Sequence, residues 1–302
     1  MKEFVAACVQ IAITPNDVQA NIDKGIAWLE KAANEYEAEL IVFPETVTTG
    51  YDTSLDAESL WDLVDEAPGR ITRDIQKATK TLRVHVVWPS YRRGPERGVV
   101  YNSAILIGPD GAIIGIYDKT HPAPWERRDA GGWATVGTRA DVFETALGSL
   151  GMMICYDGDF PELSRLLAVK GAEVIVRASA LQRSYDIWYI TNAARAYDNH
   201  VYVVASNLVG PDARGNYGFG HSMIVNPIAW RLAQARGTEE IIAAKLDPDP
   251  LRYITWGSKS PQTFDHLEDR NLKLYEEILK EARSRFEPGK RFPRQSNVLP
   301  QS

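Results

Sequence analysis

The stretch Gly151–Arg165, GMMICYDGDFPELSR, decides how this chain is read. An apolar run ends in Cys155. Acidic residues, a glycine and Pro161 follow it, and then a segment with helical spacing. A strand that passes through a polar turn into a helix is the building unit of layered α/β folds. Cys155 itself admits two readings. Cysteine is among the most buried residue types, so it suits a core position. It also stands at a strand end, where layered α/β sheets collect their functional groups.

Working outward, short β-branched runs alternate with helical segments. Strands are expected at 4–10, 40–43, 84–88, 103–107, 113–117, 150–155, 174–177, 201–206, 221–225 and 241–246. Helices are expected at 18–36, 71–82, 161–169, 185–197 and 265–285. In the first helix Val18, Ile22, Ile26, Leu29, Ala33 and Tyr36 step by three or four and form one apolar stripe. The segment NSAILIGPDGAIIGIY, 102–117, reads as two strands joined by a Pro-Asp-Gly turn, so the sheets are expected to be mixed. No Pro/Ser-rich linker divides the chain, which reads as one domain over 1–285 with an extended, loose tail over 286–302.

Composition narrows the function. The 302 residues are 44% hydrophobic and 25% charged, with a net charge of −6. Those fractions are ordinary for a soluble protein, and a mildly acidic chain without basic blocks argues against nucleic acid or an anionic membrane as partner. No run approaches the ~20 apolar residues of a membrane span, and the N-terminal apolar run is too short for a signal peptide. Two cysteines, Cys8 and Cys155, make neither a disulfide framework nor a zinc site. A cytoplasmic location is expected, and no metal or organic cofactor. Cys8, among small apolar residues, reads as core.

Three strand ends carry reactive groups: Glu45 after 40–43, Lys119 after 113–117, and Cys155. A free thiol is only a few per cent ionised at neutral pH. A carboxylate beside it is able to take its proton, and an ammonium favours both the thiolate and an oxyanion on a substrate carbonyl. The backbone N–H of Tyr156, next to the nucleophile, is a candidate second oxyanion donor. Together these groups suffice for acyl transfer through a thioester. No G-x-S-x-G elbow, H-E-x-x-H or P-loop offers competing chemistry.

FPETVTTGY around Glu45, YDKTH around Lys119 and GMMICYDGDFPE around Cys155 resemble, in order and spacing, the three signatures of the nitrilase superfamily of carbon–nitrogen hydrolases. YNSAILIGPDGAIIGIYDKTH, KGAEVIV and GHSMIVNP extend the resemblance from about Val5 to about Leu246. It implies a four-layer α-β-β-α sandwich, and dimers or larger homo-oligomers joined through helices near 161–169 and 185–197. It also implies a C-terminal tail that crosses to the partner subunit. In KTHPAPWERRDAGGW it implies an active-site role for Glu126, seven residues after Lys119, whereas the local pattern alone also allows a surface pair with Arg127 or Arg128. Where the family usually has a glycine after GHSMIVNP, this chain has Ile228-Ala229-Trp230.

The remaining candidates read as follows. Asp159 and Glu162 form a capping-box pattern with Pro161 in the first turn, so the acidic cluster after Cys155 reads as helix initiation. Tyr51, Asn102 and His121 read as scaffold or pocket wall. Ser179 is a candidate substrate contact, and Arg177 either an internal ion pair or a grip for a substrate carboxylate. Trp125, Trp133, Tyr156 and Trp188 are candidate pocket aromatics. CYDGDFPE and KGAEVIVRASA resemble amidases, while the Glu126 loop resembles nitrilases. The expected reaction is hydrolysis of a small or medium amide, with N-carbamoyl compounds and then nitriles as alternative substrates.

Overall fold

Val18, Ile22 and Leu29 lie buried on one face of the first helix, as their spacing predicts. The computed structural model of the protein describes residues 1–253, 255–256, 260–261, 263–286 and 288–295. The first half of the chain forms β1 (Phe4–Gln10), α1 (Val18–Glu35), β2 (Leu40–Val42), α2 (Ala57–Leu63), α3 (Arg70–Leu82), β3 (His85–Arg93), β4 (Val100–Ile107) and β5 (Ile113–Asp118). The second half forms β6 (Val142–Thr145), β7 (Gly148–Ile154), α4 (Pro161–Val169), β8 (Val174–Ser179), α5 (Tyr185–Asn199) and β9 (Tyr202–Asn207). It continues through β10 (Val209–Pro211), β11 (Tyr217–Phe219), β12 (Met223–Val225), β13 (Arg231–Gln234) and β14 (Glu240–Leu246).

Two six-stranded mixed sheets result. One runs β14-β1-β2-β3-β4-β5 and the other β13-β12-β9-β8-β7-β6. Each has three central parallel strands, β1-β2-β3 and β7-β8-β9, flanked by antiparallel ones. The side-chain period of two sorts the first sheet onto two faces. Ala6 and Cys8 of β1 and Leu40 and Val42 of β2 point inward, into one core with Met152, Ile154, Val176 and Met223. Ala7, Val9, Ile41 and Trp88 point outward, against Ile22 and Leu29 of α1 and Ile75 of α3. Leu167 of α4 and Trp188 and Ala196 of α5 cover the second sheet. The layers are therefore α-β-β-α. At about 1.5–3 kcal/mol for each fully buried large apolar side chain, the inner layer binds the two sheets together. Cys8 belongs to it.

The hairpin expected around Pro109-Asp110-Gly111 forms: β4 and β5 pair antiparallel, and Gly111 takes φ +82° in the turn. Ala229 holds the left-handed position, φ +63°, of the turn where a glycine was expected. Asn226 Oδ1 accepts the N–H groups of Ile228 and Trp230 there.

Three expectations are corrected. The stretch 265–285 is not an α-helix. Only a 3-10 segment, Leu272–Leu279, forms, and Leu272, Leu274 and Ile278 are exposed. Apolar side chains left this exposed gain too little from packing to hold a helix. The Asp159–Glu162 capping box is also absent. The N-cap of α4 is Phe160, with no side-chain cap, and Asp159 turns instead to Arg183 at 2.8 Å and Arg177 at 3.6 Å. The tail is not loose over its described part: Pro293 accepts from Arg127 at 2.7 Å, and Gln295 donates to the Thr120 carbonyl at 3.0 Å. Residues 287 and 296–302 of the tail lie outside the described residues. No helix among the described residues is long and apolar enough to cross a membrane.

Candidate active site

The ends of β2, β5, β7 and β8 meet where the two sheets face each other. Three residues past β2, after Phe43-Pro44, stands Glu45. Its N–H donates to the Ser179 carbonyl of β8 at 3.3 Å, which ties the first sheet to the second. Its Oε2 accepts the N–H of Ala180 at 2.8 Å. Its Oε1 accepts from Lys119 Nζ at 2.7 Å and from Asn102 Nδ2 at 2.8 Å.

Lys119 follows β5 directly, and its ammonium lies between two carboxylates, Glu45 and Glu126 Oε2 at 2.8 Å. Glu126 is brought back by the loop after Lys119. Its Oε2 also accepts the Ala123 N–H at 3.0 Å and the Tyr51 hydroxyl at 3.3 Å, and its Oε1 accepts Asn102 Nδ2 at 2.9 Å. The Tyr51 ring lies 5.4 Å from Lys119 Nζ. Glu45, Lys119 and Glu126 are fully buried, so the surface pair with Arg127 or Arg128 does not form.

Cys155 directly follows β7 with φ +48°. A non-glycine residue in this region costs about 1–2 kcal/mol and persists only where its surroundings enforce it. Two contacts do so. Asp157 Oδ2 accepts the Ile154 N–H at 2.9 Å, just before the bend. Arg177, one strand over on β8, donates Nε at 3.0 Å and Nη2 at 2.7 Å to the Cys155 carbonyl. Asp157 is itself held by the Tyr117 hydroxyl at 2.7 Å and the His121 N–H at 2.9 Å.

The electrostatics follow from burial and neighbours. Burial, and then the Glu45 charge, push the Cys155 thiol up to about 12, while Lys119 and Arg177 pull it down. Burial also raises the Glu45 carboxyl above its ordinary range against the pull of Lys119. For Lys119 burial opposes the charge, but Glu126 and Glu45 outweigh it and hold the ammonium well above its usual range. Burial opposes the Asp157 charge as well, yet its bonds from His121, Tyr117 and Ile154 hold the carboxyl below the usual range. The resting arrangement is a neutral thiol beside a fixed ammonium and two carboxylates, of which Glu45 is the one whose charge acts on the thiol.

Residues 5–254 match the family model for carbon–nitrogen hydrolases. The chain belongs to the carbon–nitrogen hydrolase family. It is 32% identical over 277 residues to a probable nitrilase of Schizosaccharomyces pombe, covering 90% of this chain and 97% of that one. It is 33% identical over 258 residues to a formamidase of Bacillus cereus, covering 82% of this chain and 74% of that one. Among solved structures it is similar to Saccharomyces cerevisiae Nit3, a member of branch 10 of the nitrilase superfamily. The TM-score is 0.73 at 27% identity, over 82% of this chain and 92% of that one.

In this carbon–nitrogen hydrolase the other sequence candidates fare unequally. Tyr156 is half-buried, edge-on to Phe160 at 5.0 Å with Arg183 over its ring. Ser179 is fully buried within β8, and its carbonyl bonds Glu45 and Leu208, so it is backbone support rather than open pocket wall. Trp125 is half exposed and lines a cavity of about 470 Å³ with Asp52, Trp133 and Arg214; none of Glu45, Lys119 or Cys155 borders that cavity. Trp188 is fully buried and backs Arg177, so the four aromatics do not form one pocket. His121 Nδ1 meets Asp157 at 3.0 Å and its ring stacks on Phe160, a scaffold role.

Asn102, set aside as scaffold or wall, bridges both carboxylates. The signal was present in the hairpin. Ser103 pairs with Asp118, so the next position up the ladder sets Asn102 beside Lys119. The Arg177 grip on Cys155 had no such signal, because it depends on the register of β7 against β8.

Proposed function

We propose that this carbon–nitrogen hydrolase is a cysteine-dependent amidase that converts a small or medium amide to its acid and ammonia. The observation that carries the reading is the bent, buried Cys155 beside a Glu45–Lys119–Glu126 cluster. In the proposed cycle Glu45 takes the thiol proton as the sulfur attacks the amide carbon. Lys119 and the Tyr156 N–H hold the oxyanion. The C–N bond breaks, and Glu45 returns the proton to the departing ammonia. Water then attacks the thioester, giving its proton to Glu45. The acid leaves and Cys155 regains its proton. Glu126 does not touch the reacting atoms in this cycle; it holds Lys119.

The Bacillus cereus formamidase supports an amide as substrate. An N-carbamoyl amino acid needs a cation for its carboxylate, and Arg177 is already engaged by Cys155, Thr191 and Asn192. Exposed Leu166, Val169, Ile190 and Tyr197 on α4 and α5 support self-association through those helices. Light scattering that gives a monomer mass would refute that association.

Ammonia release from matched amides, carbamoyl compounds and nitriles tests the substrate class. Mass spectrometry during turnover is expected to find an acyl group on Cys155. C155A is expected to fold and to lose turnover; retained activity in C155A would overturn the mechanism.

A further inference from the structure

Arg177 is fully buried, and its nearest carboxylate, Asp159, is 3.6 Å away. Burying a cation costs several kcal/mol unless its N–H groups are well satisfied, and a packed apolar residue of similar volume is often as stable or more so. Here Nε and Nη2 both go to the carbonyl of Cys155, while Nη1 donates to Thr191 Oγ1 at 2.8 Å and Asn192 Oδ1 at 2.9 Å. The Trp188 ring lies 5.0 Å from the guanidinium carbon. The backbone is cut away to admit the group: a Cβ on Gly158 would lie 2.1 Å from that carbon. So costly a grip on one carbonyl calls for a reason at that carbonyl.

The peptide plane supplies one. In a trans peptide the C=O and the N–H point in opposite directions. Holding the Cys155 oxygen at two points therefore fixes the direction of the Tyr156 N–H. That N–H opens the 3-10 segment Cys155–Asp159, where the first turn offers it no partner. Charge supplies a second reason. Once the thiol proton has passed to Glu45, a thiolate stands beside Lys119, and Arg177 brings a second cation to it.

We propose that Arg177 is a positioning residue for the reaction: it pins the Cys155 carbonyl in its left-handed bend, aims the Tyr156 N–H at the oxyanion and favours the thiolate. The inference rests on the reading of Cys155 as nucleophile. Burial draws the guanidinium down to about 10, with Cys155 and Asp159 favouring its charge and Arg183 and Arg195 opposing it, so it is charged at neutral pH. Toward the thiol, Arg177 and Lys119 act against Glu45.

The test uses the whole chain and reads two quantities, kcat with KM for ammonia release and the pH profile of Cys155 alkylation by iodoacetamide. R177M is expected to lower kcat roughly 100-fold, the size of losing one oxyanion donor, with KM nearly unchanged. Its alkylation profile is expected to move to higher pH. R177K keeps the charge, so its alkylation profile should stay near that of the wild type while kcat falls. G158A keeps the charge but displaces the guanidinium, and kcat should fall there too. Folded R177M with wild-type kcat and alkylation profile overturns the proposal. If R177M does not fold, wild-type kcat in R177K or in G158A overturns it. Because alkylation is read on Cys155 without any amide, a failure of Arg177 is distinguishable from a failure of the nucleophile assignment, which C155A reports.

Discussion

Replacing Glu126 by glutamine changes almost no volume, yet every partner of this carboxylate is a donor. Oε2 accepts from Lys119, Ala123 and Tyr51, and Oε1 from Asn102. The amide NH₂ of E126Q must therefore face a donor whichever way it turns. The cheaper orientation sets it against Asn102 alone. Asn102 is unable to turn its oxygen to meet it, because its Nδ2 also serves Glu45 at 2.8 Å. One charge-assisted bond is lost, and Lys119 keeps a neutral oxygen where it had a carboxylate. A bond to a charged group is worth about 1.5–3 kcal/mol, which corresponds to a kcat lower by roughly 10- to 150-fold if the loss falls on the oxyanion-holding ammonium. KM for a short amide should change little, since the contact acts through Lys119 and not on the bound ground state. The assay is steady-state ammonia release, with Cys155 alkylation as a check that the nucleophile is intact. E126Q with kcat within about twofold of wild type, in protein that folds normally, would refute this role for Glu126.

Two further outcomes are expected. In the proposed cycle the base form of Glu45 is needed for the first proton transfer, and burial lifts its carboxyl above its ordinary value, so activity is expected above the raised value and lost as pH falls through it. The acid limb of kcat/KM should sit above 4.5, and a limb at or below 4.5 would contradict the assignment of Glu45 as base. A229G relieves a left-handed alanine at φ +63° and is expected to stabilise the fold by about 1 kcal/mol, read as a rise of about 2 °C in Tm; an unchanged or lower Tm would show the turn to be unstrained.

Much of this fold was legible because burial was written locally. β1 matches its expected bounds, and β8 and the β4–β5 hairpin differ from theirs by a few residues at the ends. Edge elements were not legible. VFET of β6 and RLAQ of β13 are short and partly exposed, so neither shows a clean alternation. The error at 265–285 came from reading an apolar pattern as a helix in a stretch whose Leu272, Leu274 and Ile278 stay exposed. In the site, Glu45, Lys119 and Cys155 stand out as reactive residue types at strand ends, whereas Glu126 came from family resemblance alone. Asp157 lay in the acidic cluster read as helix initiation, and Arg177 read as either an internal ion pair or a grip for a substrate carboxylate. What they hold, the Ile154 N–H and the Cys155 carbonyl, is backbone, and side-chain patterns say little about backbone partners.

The site spans the seam between the sheets. Glu45 and Lys119 come from one sheet, Cys155 and Arg177 from the other, and across that seam Glu45 bonds the backbone of Ser179 and Ala180. In the proposed cycle, proton donor and acceptor are thus carried on separate slabs that an apolar layer holds together. A slip between the slabs of even an ångström would part the thiol from its base while every strand stayed hydrogen-bonded to its own neighbours. Turnover is then a more sensitive gauge of how the sandwich is seated than any measure of secondary structure. A substitution at Ala6, Cys8 or Met152, within that apolar layer, would reach the chemistry by shifting one slab against the other.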